Sequence, residues 1–533
     1  MTGQTPGTFR GRAGLAGSVV IAVGPALLAI ALRLLPGPQI TDDAYITFKY
    51  VRNLASGLGF AYNPGEHVLG TTTPLYTLSL TGLYLLLGRL GASIITITYV
   101  LNAILDGANT ALLGKLARRA TGSRAVGAAC GLLYAVSSVA IAVSLSGMET
   151  PLYVLLILST VLLFLSGRTP AAAIVCALAV LTRPDGLLLA VALLAYLLVR
   201  GRRQLPTVIA LGGLVLAPWL IFSSLYFGSP IATSVAAKNV VYLIPRFEAL
   251  RGLAHHWCAL VGLDLNGPPA YALAAALTLL WLLGTLSAAR RDRRFAVAVL
   301  FPLLYLGAFA IANKPMFRWY YVPLEPFYLL GLAGLAEALL KVRVARRTAA
   351  TLAVAVVVAV VGGQLYSLNL LPDASRPWLT PKRISLEREL LYHRVAEDIN
   401  RSYRVDSGVT IAIPEIGAFG YYSRARILDT TGLVSPEALR YYPIDPALSP
   451  ECNYAVAPDM IRELEPELVV SLELFIRNGL LPDPWFRSHY TPAARYDTEA
   501  FGSKGLLVFR RRDWAPPSEW EGASGGAASG RER

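Results

Sequence analysis

"RRQLPTVIALGGLVLAPWLIFSSLYFG", residues 202–228, decides the fold. Two arginines precede an uncharged apolar run, 205–227, that ends at a glycine. A helix needs about 20 such residues to cross the hydrocarbon core of a bilayer. Similar runs recur along the chain, at about 14–35, 93–114, 124–143, 149–167, 170–183, 186–199, 268–288, 295–312, 319–340 and 348–369. With 205–227 they make eleven expected spans. The 533 residues are 55% hydrophobic with a mean hydropathy of +0.52, a load that a soluble chain of this length does not carry. Only 15% are charged, against roughly 25% in soluble domains.

Charge fixes the expected orientation. The short basic loops "KLARRATGSR" (115–124), "RGRRQ" (200–204), "ARRDRR" (289–294) and "KVRVARR" (341–347) read as cytoplasmic. The N-terminus joins them, since Arg10 and Arg12 precede a run too long for a cleavable signal. The run 74–88 breaks the alternation if it spans. It is short, contains Gly82 and ends at Arg89 and Gly91, so it reads as a re-entrant or membrane-associated helix on the outer side. The outer segments are then 36–92, 144–149, 183–186, 228–267, 313–318 and everything after 370.

The net charge of +14 is uneven. The first 370 residues hold 28 basic and 11 acidic residues; the remainder holds 20 and 23. In the first part the basic residues cluster in short loops between apolar runs, the pattern of cytoplasmic membrane loops, which argues against nucleic-acid binding. Cys130 and Cys176 lie in apolar runs, while Cys258 and Cys452 fall outside; without CxxC spacing all four read as unpaired. Beyond residue 371 the prolines 372, 377 and 381 mark a linker. "ISLERELLYHRVAEDINRSY" has helical periodicity. "VTIAI", "ARILD", "ELVVSL" and "GLLVFRRR" read as strands, so 371–513 is expected to be a small extracytoplasmic α/β domain. Residues 1–370 are expected to form the transmembrane domain, and 514–533 a disordered tail.

Acids cluster on the outer side. Asp42, Asp43, Glu66, Glu149 and Asp185 all lie there, and Glu325 is within two turns of it; only Asp292 and Glu337 lie near the cytoplasmic loops. Charges beside hydrocarbon are costly, so such a cluster points to a functional site. Lys49, Arg52, His67, Arg183, Lys238 and Arg318 share the face. Carboxylates with scattered cations suit a reaction in which one carboxylate deprotonates an acceptor hydroxyl while cations hold a departing lipid phosphate. In "TDDAYITFKYVRNLASG" the adjacent Asp42 and Asp43 push their pKa values apart, which favours one stronger base. Thr41, Asp42 or Asp43 can also cap that amphipathic helix, whose apolar side suits the membrane interface. The carboxylate not used for a cap is then the one left for chemistry, and Asp42 is the first choice of base. An aspartate pair can hold Mg²⁺ or Mn²⁺ against phosphate oxygens, but no third ligand can be placed. His255-His256 lacks ligand spacing and reads as surface. No P-loop, strand–GxGxxG–helix or HExxH is present, which argues against ATP-driven and zinc-dependent chemistry.

The stretch "TDDAYITFKYVRNLASGLGFAYNPGEHVLGTTTPLYTL" resembles the first outer loop of the GT-C glycosyltransferases, above all the mycobacterial terminal arabinofuranosyltransferase type. "SGMETPLYVLLIL", "LTRPDGLLLA", "FGSPIATSVAAKN", "RWYYVPLEPFYLL" and "IGAFGYYSRARILDTTGLV" look like further blocks in the same order. Thr73 stands where asparagine is common. The resemblance implies an inverting transferase in the cell membrane, using a polyprenyl-phosphate sugar donor and a glycan, lipid or protein acceptor. It implies a catalytic aspartate in the first outer loop, at Asp42 or Asp43. Candidate phosphate ligands are Lys49, Arg52, Lys238, Arg318 and Arg183; candidate substrate contacts are Tyr62, Asn63, His67, Glu149 and Tyr320. Arg183 and Asp185 can instead pair and fix a helix break. Glu149 can serve its helix start through the dipole, and Tyr320 the interfacial aromatic belt. Glu415 and Asp429 read as turn residues. A lipid-linked glycan transporter or polymer ligase is the other reading; it would draw on Asp106, the clearest mid-span acid, but no internal repeat is visible.

Overall fold

The computed structural model describes residues 23–263, 265–341, 346–368, 386–405, 408–449 and 452–516. The chain forms two compact units: Met1–Ile40, Thr72–Pro230 and Ile244–Ser385 make the first, and Thr41–Thr71, Ile231–Leu243 and Leu386–Arg533 the second. The expected linker from 371 to 385, residues 14–22 of the first expected span, and the tail from 517 onward lie outside the described residues.

In chain order the helices are α1 (Val23–Leu34), α2 (Asp42–Ala55), α3 (Pro74–Leu87), α4 (Ile94–Thr121), α5 (Arg124–Ala135), α6 (Ser138–Leu145), α7 (Thr150–Leu165), α8 (Thr169–Thr182) and α9 (Leu187–Arg200). Then come α10 (Leu205–Phe227), α11 (Thr233–Val240), α12 (Glu248–Leu260), α13 (Pro268–Arg291), α14 (Ala296–Ala312), α15 (Arg318–Tyr321), α16 (Glu325–Leu340) and α17 (Arg346–Ser367). The remainder runs α18 (Glu387–Ser402), β1 (Thr410–Ile413), α19 (Gly417–Tyr422), β2 (Arg426–Asp429), α20 (Pro458–Leu464), β3 (Leu468–Leu472), α21 (Pro484–His489), β4 (Tyr490–Tyr496) and β5 (Leu506–Arg511).

The first unit is all helical. Among the described residues five helices are long and apolar enough to cross a membrane, or seven if each of two bent pairs counts as one span. Each of the eleven expected spans falls on a helix or a bent pair, but several, such as the 14-residue α8, are shorter than a full crossing. Helix α3 folds back at 119° to α4, and α5 meets α6 at 53°. The expected loop 115–124 is mostly helix. Lysine and arginine are good helix formers, and cations at a helix C-terminus meet its negative dipole end, so α4 runs on through Lys115, Arg118 and Arg119 to Gly122.

Glycines set the closest packing in this unit. A Cβ on Gly284 of α13 would lie 1.9 Å from the Gly331 carbonyl oxygen of α16. Small residues at such crossings bring helix backbones together where lipid offers no hydrophobic drive. Trp281 then donates to the Phe327 carbonyl across the crossing at 3.0 Å. Deep in the unit, Arg33 pairs with Asp106 at 2.6 Å, both fully enclosed, and Asp106 also accepts from Asn109 and Tyr134. His256, expected on the surface, is buried: its ring stacks on Tyr321 at 4.9 Å and its Nε2 stands 3.6 Å from Glu325 Oε1.

The second unit contains a five-stranded sheet in the order β2-β1-β3-β5-β4. The first three strands are parallel, whereas β5 runs antiparallel to β3 and β4. Strand β4, not expected from sequence, is an edge strand with mostly exposed residues, and its register shifts between Pro492 and Ala494. Proline is tolerated at such an edge because no ladder hydrogen bond is lost there. Segments 41–71 and 231–243, grouped by sequence with the membrane part, are built into this unit. Thr233 N–H donates to the Leu69 carbonyl at 2.8 Å and Leu243 N–H to Asn453 at 2.7 Å.

Candidate active site

Helix α2 is buried over ten of its 14 residues. That corrects the expectation of a one-sided interfacial helix. Its partner is the turn and helix "IGAFGYYS", and the residues that join them are those singled out in the loop. Asp42 does not cap its own helix. Its two carboxylate oxygens accept the Gly417 N–H at 3.0 Å and the Ala418 N–H at 2.8 Å, at the start of α19. The approach is so close that a Cβ on Gly417 would lie 1.9 Å from the Asp42 carbonyl oxygen, so only glycine fits there. Lys49 Nζ donates to the Gly420 carbonyl at 2.5 Å, and Arg52 to the Tyr421 carbonyl at 2.7 Å. The Tyr62 hydroxyl donates to Ile416 at 2.5 Å. Asn63 both donates to the Ile427 carbonyl and accepts its N–H, so it holds β2 like a neighbouring strand.

These contacts redistribute the expected roles. Lys49, Arg52, Tyr62 and Asn63 are engaged in holding backbone. Glu66 pairs with Arg426 at 2.5 Å, while His67 is exposed. Asp429 is fully buried and accepts from Thr431 and Val434, as a turn residue does. Asp42, the first choice of base, has both oxygens occupied by main-chain donors.

Asp43 is placed differently. It is half-buried, one residue along α2. Burial pushes its carboxyl above the ordinary aspartate range; the Lys238 charge opposes this, the Asp42 charge adds to it, and Arg388 opposes it. Lys238, half-buried on α11, is thus near enough for its charge to act on Asp43. Arg388 and Glu389 were not expected. Arg388 holds Glu415 at 2.7 Å and Glu389 at 2.5 Å, and Tyr392 donates to the other Glu415 oxygen at 2.7 Å. Burial disfavours the Arg388 charge, but Glu415, Glu389 and Asp42 outweigh it and keep the guanidinium ionised. Burial pushes Glu415 up to about 7 against the pull of Arg388. Glu389 Oε2 is buried without a hydrogen-bond partner. The signal in sequence was the "ERE" start of an amphipathic helix, where charged residues ordinarily face water. Among the described residues no group of three or more metal-ligand side chains converges.

Lys49 supplies a pH test. Burial, with Arg52 adding, pushes its ammonium down to about 7. An unfolded lysine titrates near 10.4. Between those values the unfolded chain binds more protons than the folded one, so stability rises with pH across the window. The melting temperature of the natural protein should gain on that of Lys49→Met from pH 7 to 10, and a constant difference would refute the burial of a strained charge.

The remaining candidates lie in the helical unit. Arg183 makes a two-pronged pair with Asp185, its Nη2 2.9 Å from Oδ2, and a second ion pair with Glu149 at 3.0 Å. It also donates to the Trp319 carbonyl, and its guanidinium lies over the rings of Tyr320 at 4.6 Å and Tyr153 at 5.3 Å. Tyr305 donates to Asp185 and to the Tyr320 carbonyl, both at 2.9 Å. These contacts are those of the helix-break pairing considered from sequence, extended to Glu149. Glu149 occupies the cap position of α7 without a side-chain cap bond and serves the ion pair instead. Arg318 is exposed and lines a cavity of about 450 Å³ with His255, His256 and Tyr321. The four cysteines are unpaired.

Residues 383–516 match a family described as Domain of unknown function (DUF8728). No curated protein matches the chain by sequence. Solved structures that resemble it include the following three. ArnT from Cupriavidus metallidurans in the apo state is 12% identical, with a TM-score of 0.57 over 93% of this chain and 98% of ArnT. The same protein bound to undecaprenyl phosphate is 14% identical, with a TM-score of 0.55 over 94% and 99%. Arabinofuranosyltransferase AftD from Mycobacteria is 14% identical, with a TM-score of 0.50 over 93% of this chain and 40% of AftD. By this likeness over nearly its whole length, the chain has the GT-C fold.

Proposed function

We propose that this chain is a membrane glycosyltransferase that moves a sugar from a polyprenyl-phosphate carrier to a hydroxyl of a cell-envelope glycan, lipid or protein. The observation that carries the chemistry is the division of labour between Asp42 and Asp43. Asp42 is committed to the N–H groups of Gly417 and Ala418, whereas Asp43 has a raised pKa beside Lys238 and Arg388. A general base is most useful with a pKa nearer the working pH than that of an ordinary carboxylate. Likeness to a protein solved with undecaprenyl phosphate supports a lipid-phosphate donor.

In this mechanism Asp43 takes the proton of the acceptor hydroxyl as its oxygen attacks the anomeric carbon. The bond from that carbon to the phosphate oxygen breaks on the opposite face, so configuration inverts. The lipid phosphate leaves as an anion stabilised by Lys238, and needs no strong general acid. Arg388, paired with Glu389 and Glu415, favours their ionised forms against the effect of burial. In this reading the N-terminus lies inside and the reaction runs on the outer face of the cell membrane, which the basic loops support.

A radiolabelled polyprenyl-phosphate pentose or hexose, supplied to the purified protein in proteoliposomes, tests the reading: label should move to an acceptor, and carrier crossing the bilayer with no acceptor labelled would replace transfer by transport. Transport or polymer ligation draws no support from Asp106, which is occupied by Arg33. The acid limb of the pH–rate profile gives a second check. The base must be ionised, so activity falls as pH drops through the Asp43 pKa, above the ordinary value near 3.9. Because the Lys238 charge lowers that pKa, Lys238→Met should move the limb to higher pH; an unmoved limb would remove Lys238 from the site.

A further inference from the structure

At the arginine-rich ends of the membrane helices, three guanidiniums on separate segments converge. Arg200 ends α9, Arg290 lies in the last turn of α13, and Arg293 opens the short helical turn before α14. All three line one concave site of about 710 Å³ whose other walls are largely apolar, with Val199, Leu286 and Leu300 among them. All three arginines are exposed, so their charges are open to an anion, and like charges on one surface favour its binding. The acids on this side do not neutralise these charges. Asp292 is held by Arg294 at 3.0 Å, and Glu337 by Arg291 and Lys341. Arg200, Arg290 and Arg293 make no ion pair among the described residues.

We propose that this concavity binds the headgroup of an anionic phospholipid, with the phosphate among the three guanidiniums and an acyl chain along Val199, Leu286 and Leu300. The chemistry fits on both counts. Guanidinium is the side chain best matched to phosphate oxygens, through paired N–H donors. The apolar wall takes a chain that a free phosphate lacks; Val199 is 72% exposed and Leu286 39%. Basic pockets between membrane helices select anionic lipids through this combination. The site is separate from the Asp43 locus and does not depend on the transferase reading.

The test is native mass spectrometry of the full chain in neutral detergent, titrated in parallel with phosphatidylglycerol, phosphatidylcholine and inorganic phosphate. Phosphatidylglycerol should bind at least about tenfold more tightly than phosphatidylcholine, and that preference should vanish in the Arg200→Gln/Arg290→Gln/Arg293→Gln variant. Arg202→Gln/Arg203→Gln removes the same kind of charge just outside the concavity and should keep the preference. If the triple variant does not fold, each single variant should still weaken phosphatidylglycerol binding severalfold. Equal binding of the two lipids, an unchanged triple variant, or inorganic phosphate binding as tightly as the lipid would each overturn the assignment.

Discussion

Asp43→Asn should lower the rate of sugar transfer by about 10²–10⁴-fold, the usual contribution of a positioned general base, and leave the fold in place. The amide keeps the size of the carboxylate but cannot take the acceptor proton. The bonds that tie the start of α2 to α19 are made by Asp42, not by Asp43. Asp42→Asn should behave in the opposite way. It exchanges a charged acceptor of two main-chain N–H groups for an amide with one acceptor oxygen, and charge-assisted hydrogen bonds contribute about 1.5–3 kcal/mol each. Its loss should therefore show first as a lower melting temperature. Transfer measured well below that temperature should fall less than in Asp43→Asn. The reverse ranking, with Asp42→Asn stable and inactive, would return the base to Asp42.

Arg183→Ala should destabilise the helical unit by about 3–5 kcal/mol, the cost of removing one member of a buried ion pair and leaving its partners uncompensated. Here two carboxylates, Asp185 and Glu149, would lose their cation, and the rings of Tyr153 and Tyr320 their flat guanidinium neighbour. Arg183→Lys should recover little, since an ammonium cannot make the two-pronged contact to Asp185 while also reaching Glu149. Thermal unfolding in detergent measures the loss. The phosphate-ligand role suggested by sequence predicts the contrary, an unchanged melting temperature with a raised KM for the donor.

The parts of the architecture that depend on local pattern were legible. Apolar runs gave the helices because burying backbone in hydrocarbon permits little else. Four of the five strands followed from β-branched alternation. The helical continuation of α4 through its basic end was hidden, since charge there reports position relative to the membrane, not where a helix stops. Strand β4 was hidden for a related reason: an exposed edge strand with a proline carries no buried alternation. At the site, the acidic pair at 42–43 and Lys238 were found from sequence, but Arg388 and Glu389 were not. Their charges occur in a helix that reads as water-facing, and the partners that bury them lie elsewhere in the chain.

By itself, then, the sequence determined the membrane class, the small α/β unit and the aspartate pair, because each is written in neighbouring residues. Only the tertiary structure showed which aspartate is held by main-chain donors. Asp42 is fixed by main-chain donors at 417 and 418, some 375 residues away, and hydrogen bonding of that range leaves no local trace. The same separation explains why Lys49, Arg52, Tyr62 and Asn63 looked like ligands for a substrate: a buried polar side chain must be satisfied, and here backbone carbonyls and N–H groups from the far end of the chain do so.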